Sequence, residues 1–242
     1  MLASLMELRS YRVQGTDGDL GRIADIGFRQ NEWIVRYLIV EMEELAREAL
    51  LPASYLSRLD RGAHILSAAV RRDQLTNTDP LDRSRPIDER EERRLHDQYG
   101  WPAVYGQEEH DISPIGGLWS EEPQAPENPD EPEFESPRLL FAGDLFEAYA
   151  VEGEDGEIGR LQDILIDDET WPIPYLVVGA PAGEDRPLIA TDYAQSIDLG
   201  TRTIYVALTR DAIAAGPVLS ASAPVTPELA QSLRDYYDQY SR

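Results

Sequence analysis

The feature of this sequence that most constrains its fold is an internal repeat. Residues 11–99 align with residues 149–237 without a gap, and 26 of the 89 aligned positions are identical. Chance does not hold one register over such a length, so the sequence predicts two copies of one folding unit. The repeat-equivalent positions that mark the structure are Gly18, Gly21, Asp25 and Tyr37 in copy one and Gly156, Gly159, Asp163 and Tyr175 in copy two.

Each copy shows short apolar runs separated by turn residues, a pattern typical of a small antiparallel β-barrel. Asp17-Gly18 and Asp155-Gly156 predict hairpin turns, because glycine tolerates a positive φ. In copy one, the first predicted strand ends near Val13, and the others cover Leu20–Phe28, Val35–Val40, Leu50-Leu51 and Ile65–Val70. In copy two, the first predicted strand ends near Val151, and the others cover Ile158–Ile166, Pro174–Val178, Leu188-Ile189 and Thr203–Leu208.

A helix is predicted to close each copy. Asp88 is a suitable N-cap with Glu91 at the capping-box position, and Gly100 ends the pattern. In copy two Thr226 is the expected N-cap and Pro227 the first helical residue. The apolar faces of the two helices are predicted to carry Leu95 and Tyr99, and Leu233 and Tyr237.

The predicted fold class is therefore all-β with flanking helices. We expect tandem duplicated small antiparallel β-barrels, each followed by one helix and packed with pseudo-twofold symmetry, as in an isologous homodimer. Residues 1–102 form copy one with its helix, residues 103–138 an aromatic connector and acidic linker, and residues 139–242 copy two with its helix. Within the connector, Ser120–Pro137 holds five prolines and seven acidic residues, so we expect it to be flexible or extended.

The charge of the chain limits its partners. It has 46 acidic and 22 basic residues, and every basic residue is arginine. A net charge of −24 disfavours direct binding to nucleic acid and to anionic membranes, which depends on basic side chains. The acidity is compatible with adaptation to high salt, or with a GC-rich genome that favours arginine codons combined with an acidic linker.

Targeting and redox signals are missing from the sequence. It contains no cysteine, so neither disulfide nor thiolate chemistry is available. No apolar stretch approaches the roughly 20 residues of a membrane span, and the first residues lack a basic region followed by an apolar one. We expect a cytoplasmic protein.

The second copy contains the stretch Asp155–Asp167, followed by Tyr175–Val178, by Arg186–Ile189 and Thr203–Thr209, and by a predicted short helix at Asp211–Ala215. In this combination the second copy resembles the PRC-barrel family. Copy one fits less well, because Gly27 and Arg29 replace an apolar and an acidic residue and Pro52 follows its fourth strand. The resemblance covers about 70 residues of each copy, and the connector Leu95–Tyr105 is similar to that of stand-alone tandem members.

The family is named after the photosynthetic reaction-centre H subunit and includes the C-terminal domain of the ribosome-maturation factor RimM. The resemblance implies a small β-barrel without intrinsic catalysis, acting in docking or assembly. No cofactor is expected from it.

Asp25 and Asp163 lie in the middle of a predicted strand, on the face that should be buried. A buried carboxylate could transfer protons, as carboxylates do in the reaction-centre relative. The structural alternative is that each accepts backbone N–H bonds at a β-bulge within its own barrel. Their presence in both copies favours the structural interpretation.

The connector is rich in aromatic residues: Tyr99, Trp101, Tyr105 and Trp119. They form a possible interaction patch, because tryptophan and tyrosine dominate binding hot spots. The alternative is that they pack the first helix and the connector onto a barrel.

Other motifs favour structural roles. Acidic turns at Asp17, Asp19, Glu152, Glu154, Asp155 and Glu157 lack the ligand spacing of a calcium loop. The histidines, His64, His96 and His110, lack zinc-site spacing and are expected on a solvated acidic surface. The turn glycines form no nucleotide-binding fingerprint, and no catalytic triad or nucleophile elbow is present.

The leading hypothesis is a non-enzymatic interaction or scaffold protein whose partner is another protein. One alternative is an accessory of ribosome or RNA maturation, by analogy with RimM, which the net charge and the lack of a RimM-like N-terminal domain disfavour. A second alternative is a protein that binds a small molecule or a metal in the cleft between the copies.

Overall fold

The computed structural model describes residues 1–30, 32–83, 87–101, 138–146, 148–179, 185–220 and 225–239. We call residues 1–101 the first half and residues 138–239 the second half. The described chain is mostly β, with two sheets and a few short helices. The acidic linker and the connector residues Tyr105, His110 and Trp119 lie outside the described residues.

Both halves contain strands in the same order. Those of the first half are β1 (Leu2–Ser4), β2 (Arg12–Gln14), β3 (Asp19–Arg29), β4 (Val35–Met42), β5 (Arg47–Pro52), β6 (Leu56–Asp60) and β7 (Ile65–Ala68). Those of the second half are β8 (Leu139–Phe141), β9 (Ala150–Gly153), β10 (Gly156–Asp167), β11 (Tyr175–Gly179), β12 (Asp185–Ala190), β13 (Ala194–Asp198), β14 (Thr203–Val206) and β15 (Val218–Ser220).

The helices are short and lie between or after the strands. They are α1 (Leu5–Leu8), α2 (Arg72–Thr76), α3 (Glu89–Tyr99), α4 (Ala142–Leu145), α5 (Arg210–Ala214) and α6 (Pro227–Tyr237), with 3-10 turns at Glu43–Leu45, Ala53–Tyr55 and Thr191–Tyr193. The longest two have 11 residues each. No helix in the described part of the chain is both long and apolar enough to cross a membrane.

The strand order is β5-β4-β3-β2-β7-β6 in the first sheet and β13-β14-β9-β10-β11-β12-β15 in the second. Most neighbouring strands are antiparallel, as predicted. The pairs β2–β7 and β9–β14 are parallel, so the expectation of wholly antiparallel sheets is wrong at one pair in each half. In both cases the strand pairs with its hairpin partner on one side and with a strand distant in the chain on the other.

The strand registers of the two halves match at the offset of 138. Val13 lies opposite Gly21 and Val151 opposite Gly159. The predicted β-bulge is present in both long strands, between Ile23 and Asp25 in β3 and at the corresponding position in β10.

Gly21 and Gly159 show why the hairpins require glycine at these positions. Gly21 has φ of +135°, and a Cβ there would lie 2.1 Å from the carbonyl oxygen of Glu41. A Cβ on Gly159 would lie 2.0 Å from the carbonyl oxygen of Gly179. Any side chain would therefore push the neighbouring strand away.

The first strand of each half belongs to the sheet of the other half. Strand β1 pairs with β10, and Leu2 lies opposite Asp167. Strand β8 pairs with β3, and Leu139 lies opposite Arg29. We call residues 2–8 and 139–145 the exchanged segments. They join the two sheets, and one large core cluster contains buried apolar residues of both halves.

Both long helices begin as predicted. The side chain of Asp88 accepts a hydrogen bond from the backbone N–H of Glu91, and Thr226 caps α6 in the same way. Gly100 ends α3 with φ of +64°. The buried face of α3 differs from the predicted one, because Glu92 and His96 are buried there and Leu95 and Tyr99 only half-buried. In α6 the predicted residues Leu233 and Tyr237 are buried.

Candidate functional site

Asp25 and Asp163 are the most deeply buried aspartates of the described chain, each only 1% exposed. Both follow the β-bulge of the longest strand in their half. The bulge aims the carboxylate into the protein, where an ionised group must be fully hydrogen-bonded.

Asp163 is held by hydroxyl and backbone donors. The N–H of Ile164, its own neighbour, donates to Oδ1 over 2.9 Å. The other donors belong to the exchanged segment of the first half: the hydroxyl of Ser4 donates to Oδ2, and the N–H of Met6 to Oδ1 over 3.3 Å. The carboxylate thus fixes the start of α1 against β10.

Asp25 repeats the backbone contacts of Asp163 and adds two cations. The N–H of Ile26 donates to Oδ1 over 2.9 Å, and the N–H of Gly143 in the other exchanged segment donates over 3.0 Å. The guanidinium of Arg83 lies 2.8 Å from Oδ2, and that of Arg9 lies 3.4 Å from Oδ1. Asp25 therefore sits in an ion-pair network.

This difference is reflected in the electrostatics of Asp163. Burial raises the pKa of Asp163, while hydrogen bonds from Ser4, Ile164 and Met6 oppose that rise. The hydrogen-bond donors to Asp163 are one hydroxyl and two backbone N–H groups, and the positive charge of Arg186 also lowers the pKa of this carboxyl. An ionised carboxylate is harder to keep in such a setting.

The predicted backbone hydrogen bonds to both aspartates are confirmed, but only one donor comes from the same half. The other backbone donor, at Met6 or Gly143, comes from the other half. The expectation that each aspartate is satisfied within its own barrel is therefore wrong. Arg9, Arg83 and Ser4 were not identified from sequence, because their distance along the chain hides the contact.

A second reciprocal contact joins the halves beside the exchanged segments. The N–H of Val35 donates to the carbonyl of Trp171 over 2.9 Å, and the N–H of Ile173 donates to the carbonyl of Trp33 over 2.7 Å. Between them Ile34 pairs with Pro172 in an isolated antiparallel bridge. The segments around Ile34 and Pro172 thus make the same backbone contact in both directions.

The described part of the aromatic connector packs against the first half. Trp101 is 8% exposed and lies in a small apolar cluster with Tyr37. Its ring is 5.5 Å from that of His96 and 5.1 Å from that of Tyr99. The hydroxyl of Tyr99 donates to Asp79. These two residues are therefore placed as the packing interpretation predicts.

His96 is 4% exposed, so the expectation of a solvated surface is wrong for this histidine. Its Nε2 lies 2.6 Å from the hydroxyl oxygen of Tyr37. One turn earlier on α3, Glu92 is buried and accepts a 2.6 Å charge-assisted bond from Arg29. His64 is exposed and stacks on Tyr11.

The acidic turns stabilise helix starts. Oδ1 of Asp17 accepts from the backbone N–H of Arg72 over 2.9 Å, and Oδ1 of Asp155 accepts from that of Arg210 over 2.8 Å. Within the described ranges, no cluster of three or more acidic or histidine side chains is arranged to hold a metal ion.

The second half contains an open pocket of about 460 Å³. It lies between β1, the connection from β10 to β11, and the first turns of α6. Its apolar wall includes Leu2, Pro172, Tyr175, Val225 and Ala230. Two charged residues, Asp167 and Arg234, also line it. This volume falls within the range typical of small-molecule sites.

Comparison with known proteins gives no relative from which a role could be transferred. No family model matches the chain, and no curated protein matches it either.

Proposed function

We propose that this chain is a non-enzymatic protein-interaction scaffold of the PRC-barrel type, built from a tandem duplication. Three features support the duplication and the pseudo-twofold packing: the ungapped repeat, the matching strand registers and the reciprocal contacts of the exchanged segments. A duplicated gene can preserve in one chain the isologous contact of an ancestral homodimer.

The observation that carries the scaffold function is the use made of the buried ionisable groups. Asp25 and Asp163 fasten the exchanged segments, Glu92 binds Arg29, and His96 contacts Tyr37. Each contact joins separate elements of the fold. Groups that would otherwise be available for acid–base chemistry are therefore engaged in holding the fold together: the two aspartates between the halves, and Glu92 and His96 between α3 and the first sheet. This use of ionisable groups suits a docking protein.

A pull-down from the native lysate with the tagged full-length chain tests this function. We expect stoichiometric recovery of one or a few proteins that are not ribosomal. Recovery of ribosomal proteins would favour the role in ribosome or RNA maturation. If no partner is recovered and calcium raises the melting temperature, the scaffold proposal fails in favour of metal binding.

Small-angle scattering tests the packing of the two halves. We expect one compact particle with a tail, because the exchanged segments fasten each sheet to the other. Two well-separated lobes on a flexible string would contradict the pseudo-twofold arrangement.

A further inference from the structure

The pocket of the second half corresponds to a region of the first half that side chains fill. At the offset of 138, Asp167, Tyr175, Ala230 and Arg234 correspond to Arg29, Tyr37, Glu92 and His96. The two sets lie on corresponding strands and helices, so the first half shows what a filled version of this site contains.

In the first half the site is closed by its own side chains. Arg29 and Glu92 form their buried ion pair, with 2.6 Å between nitrogen and oxygen. Tyr37 and His96 are in hydrogen-bond contact, and the indole of Trp101 packs over both, with ring centroids 6.2 Å and 5.5 Å away. The ring of Trp101 thus covers Tyr37 and His96, which lies one helical turn after Glu92 on α3.

In the second half the space next to Ala230 is left open, while the buried ring of Tyr237 packs beside Tyr175, with 6.4 Å between the ring centroids. Ala230 is smaller than glutamate, and Asp167 is shorter than arginine. Gln239, the residue that corresponds to Trp101, is exposed. Arg234 donates to Gln231 over 2.8 Å on the same helix. Its guanidinium and the ring of Tyr175 both line the pocket.

We propose that this pocket receives an aromatic side chain from a partner protein, seated between Tyr175 and Arg234. The inference rests on the proposed interaction function. An aromatic ring matches the site chemically, because a guanidinium binds the face of a π-system and Tyr175 offers an aromatic neighbour. A single aromatic anchor seated in a pocket is also the usual energetic centre of a protein interface.

The test uses the full-length chain, with N-acetyl-tryptophanamide as the probe and N-acetyl-leucinamide as the comparator, followed by amide NMR shifts. We expect saturable shifts around Tyr175, Ala230 and Arg234 with the tryptophan probe. Its dissociation constant should be on the order of a few millimolar, as for one isolated side chain. Ala230→Glu, which introduces the residue of the first half, should weaken binding at least tenfold. Ala214→Glu on the exposed side of α5 is the matched control and should bind as the wild type does.

The same variants in the pull-down separate the pocket from the function. Loss of the partner in Ala230→Glu but not in Ala214→Glu would support the proposal. A partner that Ala230→Glu still retains would overturn the pocket assignment while leaving the scaffold function standing. Probe binding by a wild type that recovers no protein would overturn both, and would indicate a small-molecule site.

The chain's own connector is the competing occupant. If the probe bound only after Tyr105→Ser and Trp119→Ser were introduced together, the pocket would be filled from within the chain, and the partner proposal would be wrong.

Discussion

The two halves of the molecule place an aspartate at the same bulge but neutralise it differently. Asp25 has two arginines beside it, whereas Asp163 has a serine hydroxyl and backbone donors. A second contrast lies next to α3 and α6, where a buried ion pair fills the first half and an open pocket lies at the corresponding place in the second half. A shared backbone therefore leaves side-chain chemistry free to diverge.

Replacing Glu92 by alanine should give the largest loss of stability. It would remove the carboxylate that lies 2.6 Å from the buried guanidinium of Arg29 and leave that of Glu32 at 3.3 Å. We expect the free energy of unfolding to fall by about 3 kcal/mol, near the lower end for a broken buried pair. Urea denaturation measures this.

The control for Glu92→Ala is the double variant Arg29→Leu with Glu92→Leu. It leaves no unpaired charge and should recover most of the loss. If Glu92→Ala were as stable as the wild type, the ion pair between Arg29 and Glu92 would not contribute to the stability of the first half.

Asp25→Ala and Asp163→Ala should each destabilise the protein by about 1–3 kcal/mol, because buried donors lose their acceptor. The losses should be similar, because each carboxylate accepts from one backbone N–H of its own half and one of the other half's exchanged segment. Denaturant unfolding of both variants side by side gives the comparison. Unchanged stability of Asp163→Ala, together with loss of partner binding, would make that site functional instead of structural.

The pH dependence of stability should show the effect of burial on Asp163. Burial raises the folded-state pKa of Asp163 above the value of about 3.9 expected for an unfolded chain. The folded state therefore holds the proton at higher pH, so the stability due to this group increases as pH falls from the raised pKa toward 4. Each unit of elevation corresponds to about 1.4 kcal/mol.

Unfolding free energies of the wild type and Asp163→Asn, measured from pH 7 to pH 4, test this expectation. The wild type should gain stability relative to the variant as the pH is lowered. A difference that is constant over this range would mean that Asp163 keeps an ordinary pKa in the folded protein.

Ser4→Ala should have the smallest effect, about 1 kcal/mol, because it removes one hydroxyl donor and leaves two N–H donors to Asp163. Without that donor the pKa of Asp163 should rise further, moving the pH-dependent gain to higher pH. Ser10→Ala, whose exposed hydroxyl contacts Glu7 and His64, is the control and should leave the pH profile unchanged.

Much of the local structure could be predicted from the sequence. The hairpin glycines, the bulged strands with Asp25 and Asp163, and the caps Asp88 and Thr226 follow from short-range rules on φ, burial and hydrogen bonding. These rules act within a few residues, so one sequence window contains the whole cause. Each of these local patterns occurs in both copies of the repeat, which strengthens the prediction made from it.

Tertiary structure decided what depends on residues far apart in the chain. Strands β1 and β8 have three residues each, too few to show a period, and only pairing across the halves defines them. The charged composition of α3 favours an exposed helix face at Glu92 and His96. Both are buried because α3 packs against a sheet that contains the exchanged strand β8. The open pocket arises where residues of β1, β11 and α6 meet, a juxtaposition that no single stretch of sequence contains.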